Sequence, residues 1–257
     1  RQNSRPHLCG VRQHSRGRLC HRAAFRQGLF ACLLLASFSF APAAETPELI
    51  APWTPVTVKS DTSGVEVGVW GRSHKLANTA LPTSITTAGE ELLAGPVRLV
   101  GQVGGKPIAW KRGGNLVFSA DRAHAVISGW QAGDDLIVNT TTRIEFDGLV
   151  QVDLVVLPQY KTTPKLEQLW LEVPLKRAWA TLFHYFPERW GAAKNSGAIP
   201  EKGLTLPFKP YVWLGREDGG LGWFAESDKV WQPQAADRAI EVIPTRYRVV
   251  QADDPRS

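Results

Sequence analysis

Four β-rich runs follow one another in the middle of the chain and constrain its fold more than any other feature. They span residues 115–120, 123–131, 136–146 and 149–157, and the gaps between them are short and contain Asp or Gly. Apolar and polar residues alternate along the last run, which is the period of a strand that buries one face. Asp147-Gly148, between two long runs, is a strong type I′ hairpin signal. Runs joined in this way predict an antiparallel meander.

The rest of the chain beyond Glu45 has the same character. Short apolar runs are punctuated by Gly and Pro, Gly104-Gly105 marks another hairpin turn, and only residues 177–185 resemble a helix or a long turn. There is no internal repeat and no low-complexity linker in the sequence. Residues 45–257 are therefore expected to form an all-β fold, a single antiparallel β-sandwich domain of two packed sheets.

The first 44 residues differ in composition from the rest. Residues 28–41 form an apolar run that is shorter than the roughly 20 residues a membrane-spanning helix needs, and small residues lie between it and Glu45. This pattern predicts a signal peptide in a leader of residues 1–44, of which 1–21 are expected to be unstructured, followed by export to the periplasm, the cell surface or the medium. An uncleaved anchor and lipid attachment at Cys32 are the alternatives.

The net charge of +6 also comes from the leader. Seven arginines precede the first acidic residue, so subtracting 7 from the 30 Lys and Arg leaves 23 basic against 24 acidic residues, a net charge of −1. A near-neutral body makes nucleic acid and anionic membrane unexpected partners. The three cysteines, Cys9, Cys20 and Cys32, lie in the leader as well, so neither disulfides nor thiolate metal ligands are expected in the mature chain.

The most distinctive motif is an aromatic, glycine-rich hairpin. Residues 211–214 and 221–225 are apolar, aromatic runs that flank Gly-Arg-Glu-Asp-Gly-Gly, whose glycines are expected to take the positive φ values of a tight turn. The sequence Trp-Leu-Gly-Arg-Glu-Asp-Gly-Gly-Leu-Gly-Trp-Phe-Ala-Glu-Ser-Asp-Lys-Val-Trp (213–231) resembles a signature of the N-terminal domain of glycoside hydrolase family 123-like proteins. Leu-Leu-Ala-Gly-Pro-Val-Arg-Leu (92–99) and Glu-Val-Pro-Leu-Lys (172–176) are similar to that domain too, and the likeness covers roughly residues 53–251.

This resemblance implies a non-catalytic β-sandwich that precedes a catalytic (β/α)8 barrel. It implies a parent similar to exo-acting β-N-acetylgalactosaminidases, whose barrel carries an adjacent Asp-Glu pair, and no Asp-Glu dipeptide in that order occurs in this chain. The barrel is thus the expected partner, missing here. The domain is expected to run further than Val250, which would leave one or two closing strands outside the chain.

Three tryptophans near this hairpin are candidate contacts for a carbohydrate or for a neighbouring domain. Aromatic faces stack on sugar rings, and Trp213, Trp223 and Trp231 come from one compact unit. The competing interpretation is that these indoles pack in the core or against another sheet. Alternation of side chains along the two strands suits either interpretation.

Carboxylates are the groups a glycosidase needs, and most of those in this chain lie at expected turns. The pairs Glu90-Glu91, Asp134-Asp135, Glu217-Asp218 and Asp253-Asp254 are therefore expected to be solvated rather than catalytic. Glu226 and Asp228 belong to the hairpin motif itself. They are expected to cap the turn, and the alternative is that they form a polar edge facing a catalytic pocket.

Metal and cofactor sites are not indicated by the sequence. His74, His124 and His184 are far apart and none has a partner at metal-ligand spacing, so His184 is expected to be a buried or interfacial imidazole. The sequence lacks both the Gly-x-Ser-x-Gly elbow and a phosphate-binding glycine loop. No catalytic residue, cofactor or metal is expected.

Three functions remain open on these grounds. The first is a non-catalytic domain of a secreted glycoside hydrolase that supports the following barrel. The second is a free-standing carbohydrate-binding module with an exposed tryptophan, and the third is a structural surface protein that contacts only other protein.

Overall fold

The computed structural model describes residues 48–160, 165–186, 193–225, 228, 233, 235–243 and 246–252. The chain divides into two units, Arg1–Ala44 and Glu45–Ser257, and the described residues all belong to the second. The expected leader and signal peptide therefore lie outside them. In the described part, nineteen strands and two short 3₁₀ turns make up the regular structure, and no helix there is long and apolar enough to cross a membrane.

The first sheet is a five-stranded antiparallel meander in which each strand pairs with the next. Its strands are β1 (Thr57–Asp61), β2 (Gly64–Val69), β3 (Arg72–Leu76), β4 (Pro82–Thr87) and β5 (Glu90–Glu91). Val65, Val67 and Val69 alternate along β2 and are buried. They share a core with Ile127 and Ile144 of the second sheet, so the period-2 pattern of β2 is the pattern of a sheet with one buried face.

The second sheet is the meander expected from the four central runs. It has the order β11-β10-β9-β8, with β8 (Arg112–Ala120), β9 (His124–Ala132), β10 (Leu136–Glu145) and β11 (Val150–Pro158). The hairpin at Asp147-Gly148 is confirmed, but its turn type is not. Only Gly148 has a positive φ, 87°, and its N–H donates to the carbonyl of Glu145, which is a type I turn followed by a left-handed glycine.

The remaining strands form a six-stranded and a four-stranded sheet. The third sheet has the order β15-β18-β19-β12-β6-β7, with β6 (Arg98–Val103), β7 (Lys106–Pro107), β12 (Leu166–Glu172), β15 (Leu204–Leu206), β18 (Ile240–Ile243) and β19 (Arg246–Ala252). The fourth has the order β14-β13-β16-β17, with β13 (Leu182–Tyr185), β14 (Ser196–Ala198), β16 (Tyr211–Arg216) and β17 (Gly219–Phe224). Residues 177–185 are a 3₁₀ turn, Arg177–Trp179, followed by β13 rather than a helix.

The all-β, antiparallel class is confirmed, whereas the two-sheet sandwich is not plainly what the chain forms. The strands make four small sheets arranged like the blades of a propeller. The reason is that alternation reports one buried face per strand and nothing about how many sheets share the core. In each of the first two meanders every strand pairs with its neighbour in the sequence, so each meander forms a separate sheet.

A loop between β3 and β4 joins the first two sheets. The buried Thr142 hydroxyl donates to the carbonyl of Ala80 at 2.6 Å, and the Asn115 amide donates to the carbonyl of Ala77 at 2.8 Å. A Cβ on Gly129 would lie 2.6 Å from Ala80, so only glycine permits this approach. The loop thereby fixes one sheet against the other.

Candidate functional site

The hairpin predicted around residues 211–225 is confirmed, with a different role for its glycines. β16 and β17 pair without a break from Tyr211 opposite Phe224 to Arg216 opposite Gly219, so the turn consists of Glu217 and Asp218. The glycines beside the turn lie within the strands, and none has a φ in the left-handed region: Gly215, Gly219, Gly220 and Gly222. They must therefore serve a purpose other than turn formation.

Their purpose is close approach of aromatic rings to the backbone. A Cβ on Gly220 would lie 2.8 Å from Cε2 of Trp213, and a Cβ on Gly222 would lie 3.2 Å from Cε2 of Tyr211. Both rings thus rest on bare backbone of the neighbouring strand. We call this surface the aromatic–glycine face, defined by Tyr211, Trp213, Gly215, Gly220, Gly222 and Phe224. Any side chain at these glycines would displace a ring.

This face points away from the core. Val212 and Leu214 alternate with its residues along β16 and are buried in the largest hydrophobic cluster. Tyr211 and Trp213 are half-buried, and Phe224 is 52% exposed. The hairpin therefore presents an apolar core side and an aromatic outer side.

Polar side chains continue the face onto the neighbouring strands. His184 of β13 lies directly opposite Trp213, and its Nδ1 is 2.7 Å from the Ser196 hydroxyl of β14. The His184 and Tyr211 ring centroids are 6.3 Å apart. One row across the sheet therefore reads Ser196, His184, Trp213, Gly222. It combines hydrogen-bonding groups with an aromatic ring, which is the pairing that sugar-binding surfaces need.

Trp223 lies on the opposite side of the same hairpin. It packs against the main core and makes an edge contact with Phe208, with ring centroids 6.3 Å apart. It also lines a cavity of about 20 Å³ together with Val173, Val212 and Ile240. A cavity of that size admits roughly one water molecule and no sugar ring. Trp223 therefore packs against the core, whereas Trp213 lies on the other side of the hairpin.

The other three candidates from the sequence are placed as follows. Asp228 is exposed. Glu226, expected to cap the turn, and Trp231, a candidate contact for a carbohydrate or a neighbouring domain, lie outside the described residues.

Arg216 ties the tip of the hairpin to the first sheet. Its guanidinium carbon lies 3.7 Å from the ring centroid of the buried Trp179, and the side chain bonds Asp218 at 2.5 Å and Glu90 at 3.1 Å. The hydrogen bond from Arg216 lowers the pKa of Asp218. Glu90 and Asp218 belong to two of the carboxylate pairs expected at turns, and both form salt bridges with the same arginine.

Glu91 is likewise a structural carboxylate. It accepts hydrogen bonds from the Ser84 hydroxyl and from the backbone N–H groups of Ile85 and Leu93, the last two at 3.0 and 2.8 Å. Burial raises the pKa of Glu91, but these three hydrogen bonds outweigh it and the net shift is downward. An ionised carboxylate held in this way is poorly suited to donate a proton at neutral pH.

Metal-binding groups are scattered among the described residues, which contain no cluster of three or more His, Cys, Asp or Glu side chains able to hold an ion. His74 is buried in β3, and burial lowers its pKa to about 4. His124 lies 3.1 Å from Asp121. His184, expected to be buried or interfacial, is half-buried on the aromatic–glycine face.

Sequence reasoning missed several members of this face. Tyr211 and Phe224 were not singled out as candidate contacts, and neither was the adjacent His184, which was expected to be a buried or interfacial imidazole. The available signal was the alternation of aromatic and glycine residues, with Trp213-x-Gly215 on one strand and Gly220-x-Gly222 on the next. That pattern places glycines beneath rings only once the register is known.

A protein-family model matches most of this chain. Residues 57–229 match the family model described as "Glycoside hydrolase 123, third domain", and no curated protein matches the chain. The sequence resemblance pointed to the family's N-terminal domain, while the matching model describes the third. The match contains the first two sheets and the aromatic–glycine face, and it spans well over half of the chain. The chain therefore belongs to the glycoside hydrolase 123 third-domain family.

Proposed function

We propose that this chain is a non-catalytic domain of a secreted glycoside hydrolase and that it supports a following catalytic (β/α)8 barrel. Family membership supports the glycosidase context. The observation that carries the non-catalytic role is the engagement of the carboxylates near the hairpin, because Glu90, Asp218 and Glu91 are held by Arg216 or by backbone N–H groups. Most glycoside hydrolases use a pair of carboxyl groups that flank the bond to be cleaved.

By its resemblance the parent would act on β-N-acetylgalactosaminides. The test is incubation of this chain with an aryl β-N-acetylgalactosaminide, and the expected result is no turnover. Turnover that Asp228→Asn or Glu226→Gln abolishes would overturn the proposal. Sequencing the DNA on both sides of the reading frame tests the barrel, because the proposal requires an in-frame continuation with strand–helix alternation and an Asp-Glu pair at a strand end.

Export is part of the same proposal. The signal-like run at residues 28–41 supports it. Cell fractionation followed by N-terminal sequencing is expected to recover a chain that begins near Glu45 outside the cytoplasm. A full-length chain in the cytoplasmic fraction would contradict export.

The aromatic–glycine face favours a second function, which is carbohydrate binding. Trp213 and Tyr211 lie on glycine backbone with their outer sides directed away from the core, and His184 and Ser196 supply hydrogen-bonding groups beside them. Such a face can stack on a pyranose ring and bond its hydroxyls at the same time. This arrangement supports a carbohydrate ligand over a purely structural role.

Affinity gel electrophoresis with soluble neutral polysaccharides tests the second function. The unaltered chain is expected to be retarded by at least one of them, and Trp213→Ala is expected to remove most of that retardation. Trp70→Ala is the matched control, since Trp70 is also partly exposed but lies far along the chain, in the turn between β2 and β3. Equal retardation of the Trp213 variant and the unaltered chain would contradict carbohydrate binding at this face.

A further inference from the structure

A second exposed tryptophan lies on a different sheet and is built in a similar way. Trp130 of β9 is 40% exposed and lies opposite Gly114 of the edge strand β8. A Cβ on Gly114 would lie 3.0 Å from Nε1 and 3.5 Å from Cε2 of Trp130. The indole thus rests on glycine backbone, as Trp213 does, and its outer side is open.

The four strands of the second sheet extend this surface in register. One row across the sheet reads Gly114, Trp130, Asn139, Val155, and the next reads Leu116, Ser128, Thr141, Asp153. We call these two rows the Trp130 face. Leu116 and Val155 are 57% and 52% exposed, so apolar groups lie at both edges, with an amide and two hydroxyls between them.

Charged side chains of both signs lie on and beside this face, and their charges sum to zero. Arg143, one row away, bonds Glu145 at 3.0 Å. Asp153, which accepts a hydrogen bond from the neutral Gln151 amide at 3.2 Å, is offset by Arg112, one row away on the other side. A partner with many negative charges, such as a nucleic acid or an anionic membrane, requires a surplus of cations on the binding surface. The local charges therefore match a neutral ligand.

We propose that the Trp130 face is a second carbohydrate-contact surface, which takes a neutral polysaccharide with Trp130 as the ring on which a sugar stacks. This inference rests on the proposed carbohydrate function of the chain, but on a separate sheet and separate residues. The indole offers a flat face to the C–H side of a pyranose. Asn139 lies directly opposite Trp130, and Ser128 and Thr141 lie one row along, where they can bond the hydroxyls of the same or the next sugar.

Two contact faces on one domain have a measurable consequence. A polysaccharide long enough to contact both faces stays bound at one face while it dissociates from the other and binds there again. Its apparent affinity therefore exceeds the affinity of either face alone. Short oligosaccharides cannot bridge the two faces and lack this gain. The two faces are therefore expected to contribute separately with oligosaccharides and jointly with polymers.

The experiment compares retardation in affinity gels that contain neutral polysaccharides for the unaltered chain, Trp130→Ala, Trp213→Ala and the double variant. Trp130→Ala is expected to weaken binding about tenfold, as the loss of one stacked ring, and the double variant is expected to bind no more. Trp130→Tyr keeps an aromatic ring and is expected to restore binding. Gly114→Ala keeps the indole, but the added methyl group would displace it from the backbone of β8, so this variant is expected to bind more weakly as well.

Controls separate this inference from the proposed function of the other face. Trp70→Ala is expected to bind like the unaltered chain, and circular dichroism of every variant checks that it is folded. If Trp213→Ala binds normally while Trp130→Ala does not, the aromatic–glycine face fails as a sugar site and the Trp130 face stands. If Trp130→Ala binds like the unaltered chain, or if no neutral polysaccharide retards any form, the Trp130 face is not a carbohydrate site.

Discussion

Trp213 and Trp223 belong to paired strands of one hairpin and point to opposite faces of its sheet. Trp223 lies opposite Val212, which is buried, while Trp213 lies opposite Gly222, which is exposed. One indole thus belongs to the core and the other to the outer surface. Substitutions at the two positions should therefore have different effects.

Trp223→Ala is expected to lower the free energy of unfolding by about 3 kcal/mol, because it removes core contacts and enlarges an existing cavity. Trp213→Ala is expected to lower it by about 1 kcal/mol, because its outer side makes no core contact. Urea denaturation followed by circular dichroism measures both. A larger loss for Trp213 than for Trp223 would show that the two faces are assigned the wrong way round.

Two threonines of β10 give a matched test of a buried hydrogen bond. Thr142 and Thr140 are both fully buried on the same side of the strand. The Thr142 hydroxyl donates to Ala80, whereas the Thr140 hydroxyl finds no partner among the described residues. Thr142→Val is expected to cost about 2 kcal/mol, because it leaves the Ala80 carbonyl unpaired.

Thr140→Val is expected to leave the stability unchanged or to raise it, because valine has the same shape and removes an unpaired hydroxyl. Denaturant titration of the two single variants makes the comparison. Equal losses from both substitutions would mean that the Thr142 bond contributes nothing beyond the shape of its side chain.

A substitution at Gly129 tests how closely the β3–β4 loop packs against the second sheet. Gly129→Ala is expected to destabilise the domain by about 3 kcal/mol, since its Cβ would lie 2.6 Å from backbone and side-chain atoms of Thr79 and Ala80. Gly95→Ala is the control, because the nearest atom to its Cβ is 3.9 Å away, on Pro174. The control is expected to be neutral or slightly stabilising. Thermal unfolding that ranks the two variants in the reverse order would exclude the close approach.

His74 predicts part of the acid sensitivity of the fold. Burial, with a smaller effect of the Arg72 charge, lowers the pKa of His74 from 6.5 to about 4. Between these values the unfolded chain binds a proton that the folded chain does not, so stability should fall as the pH drops from 6.5 towards 4. The loss attributable to this residue reaches at most roughly 3 kcal/mol.

His74→Leu is expected to flatten this dependence, because the variant has no imidazole to protonate on unfolding. Urea denaturation of both proteins at pH values from about 7 down to about 5 compares the slopes above the main range of carboxylate titration. Parallel slopes for the two proteins would show that His74 is protonated without unfolding.

Much of the fold could be predicted from short-range patterns. The central meander, the hairpin at residues 211–225 and the turn at Gly104-Gly105, where both residues have positive φ, 58° and 75°, all follow from alternation and turn residues. Residues 177–185 were not predicted correctly. Apolar and polar residues there do not alternate cleanly, and β13 is stabilised by its pairing with β16, which is distant in sequence.

The candidate site was predicted only in part. The sequence pointed to the right hairpin and to Trp213, but it offered no way to separate Trp213 from Trp223. The glycines were expected in the turn, because a glycine-rich stretch between strands usually supplies positive φ. In the structure they lie under aromatic rings, a role that depends on which residues face each other across the strands.

By itself, the amino-acid sequence determined the all-β class, the positions of most strands and turns, and the resemblance to glycoside hydrolase family 123, because these depend on residues close together along the chain. Only the tertiary structure decided that the strands form four sheets, that Trp223 enters the core, and that Trp213 and Trp130 lie outside on glycine. Alternation states that neighbouring side chains point in opposite directions. Which direction is inward depends on the sheet that packs against the strand, and that contact joins residues far apart in the sequence.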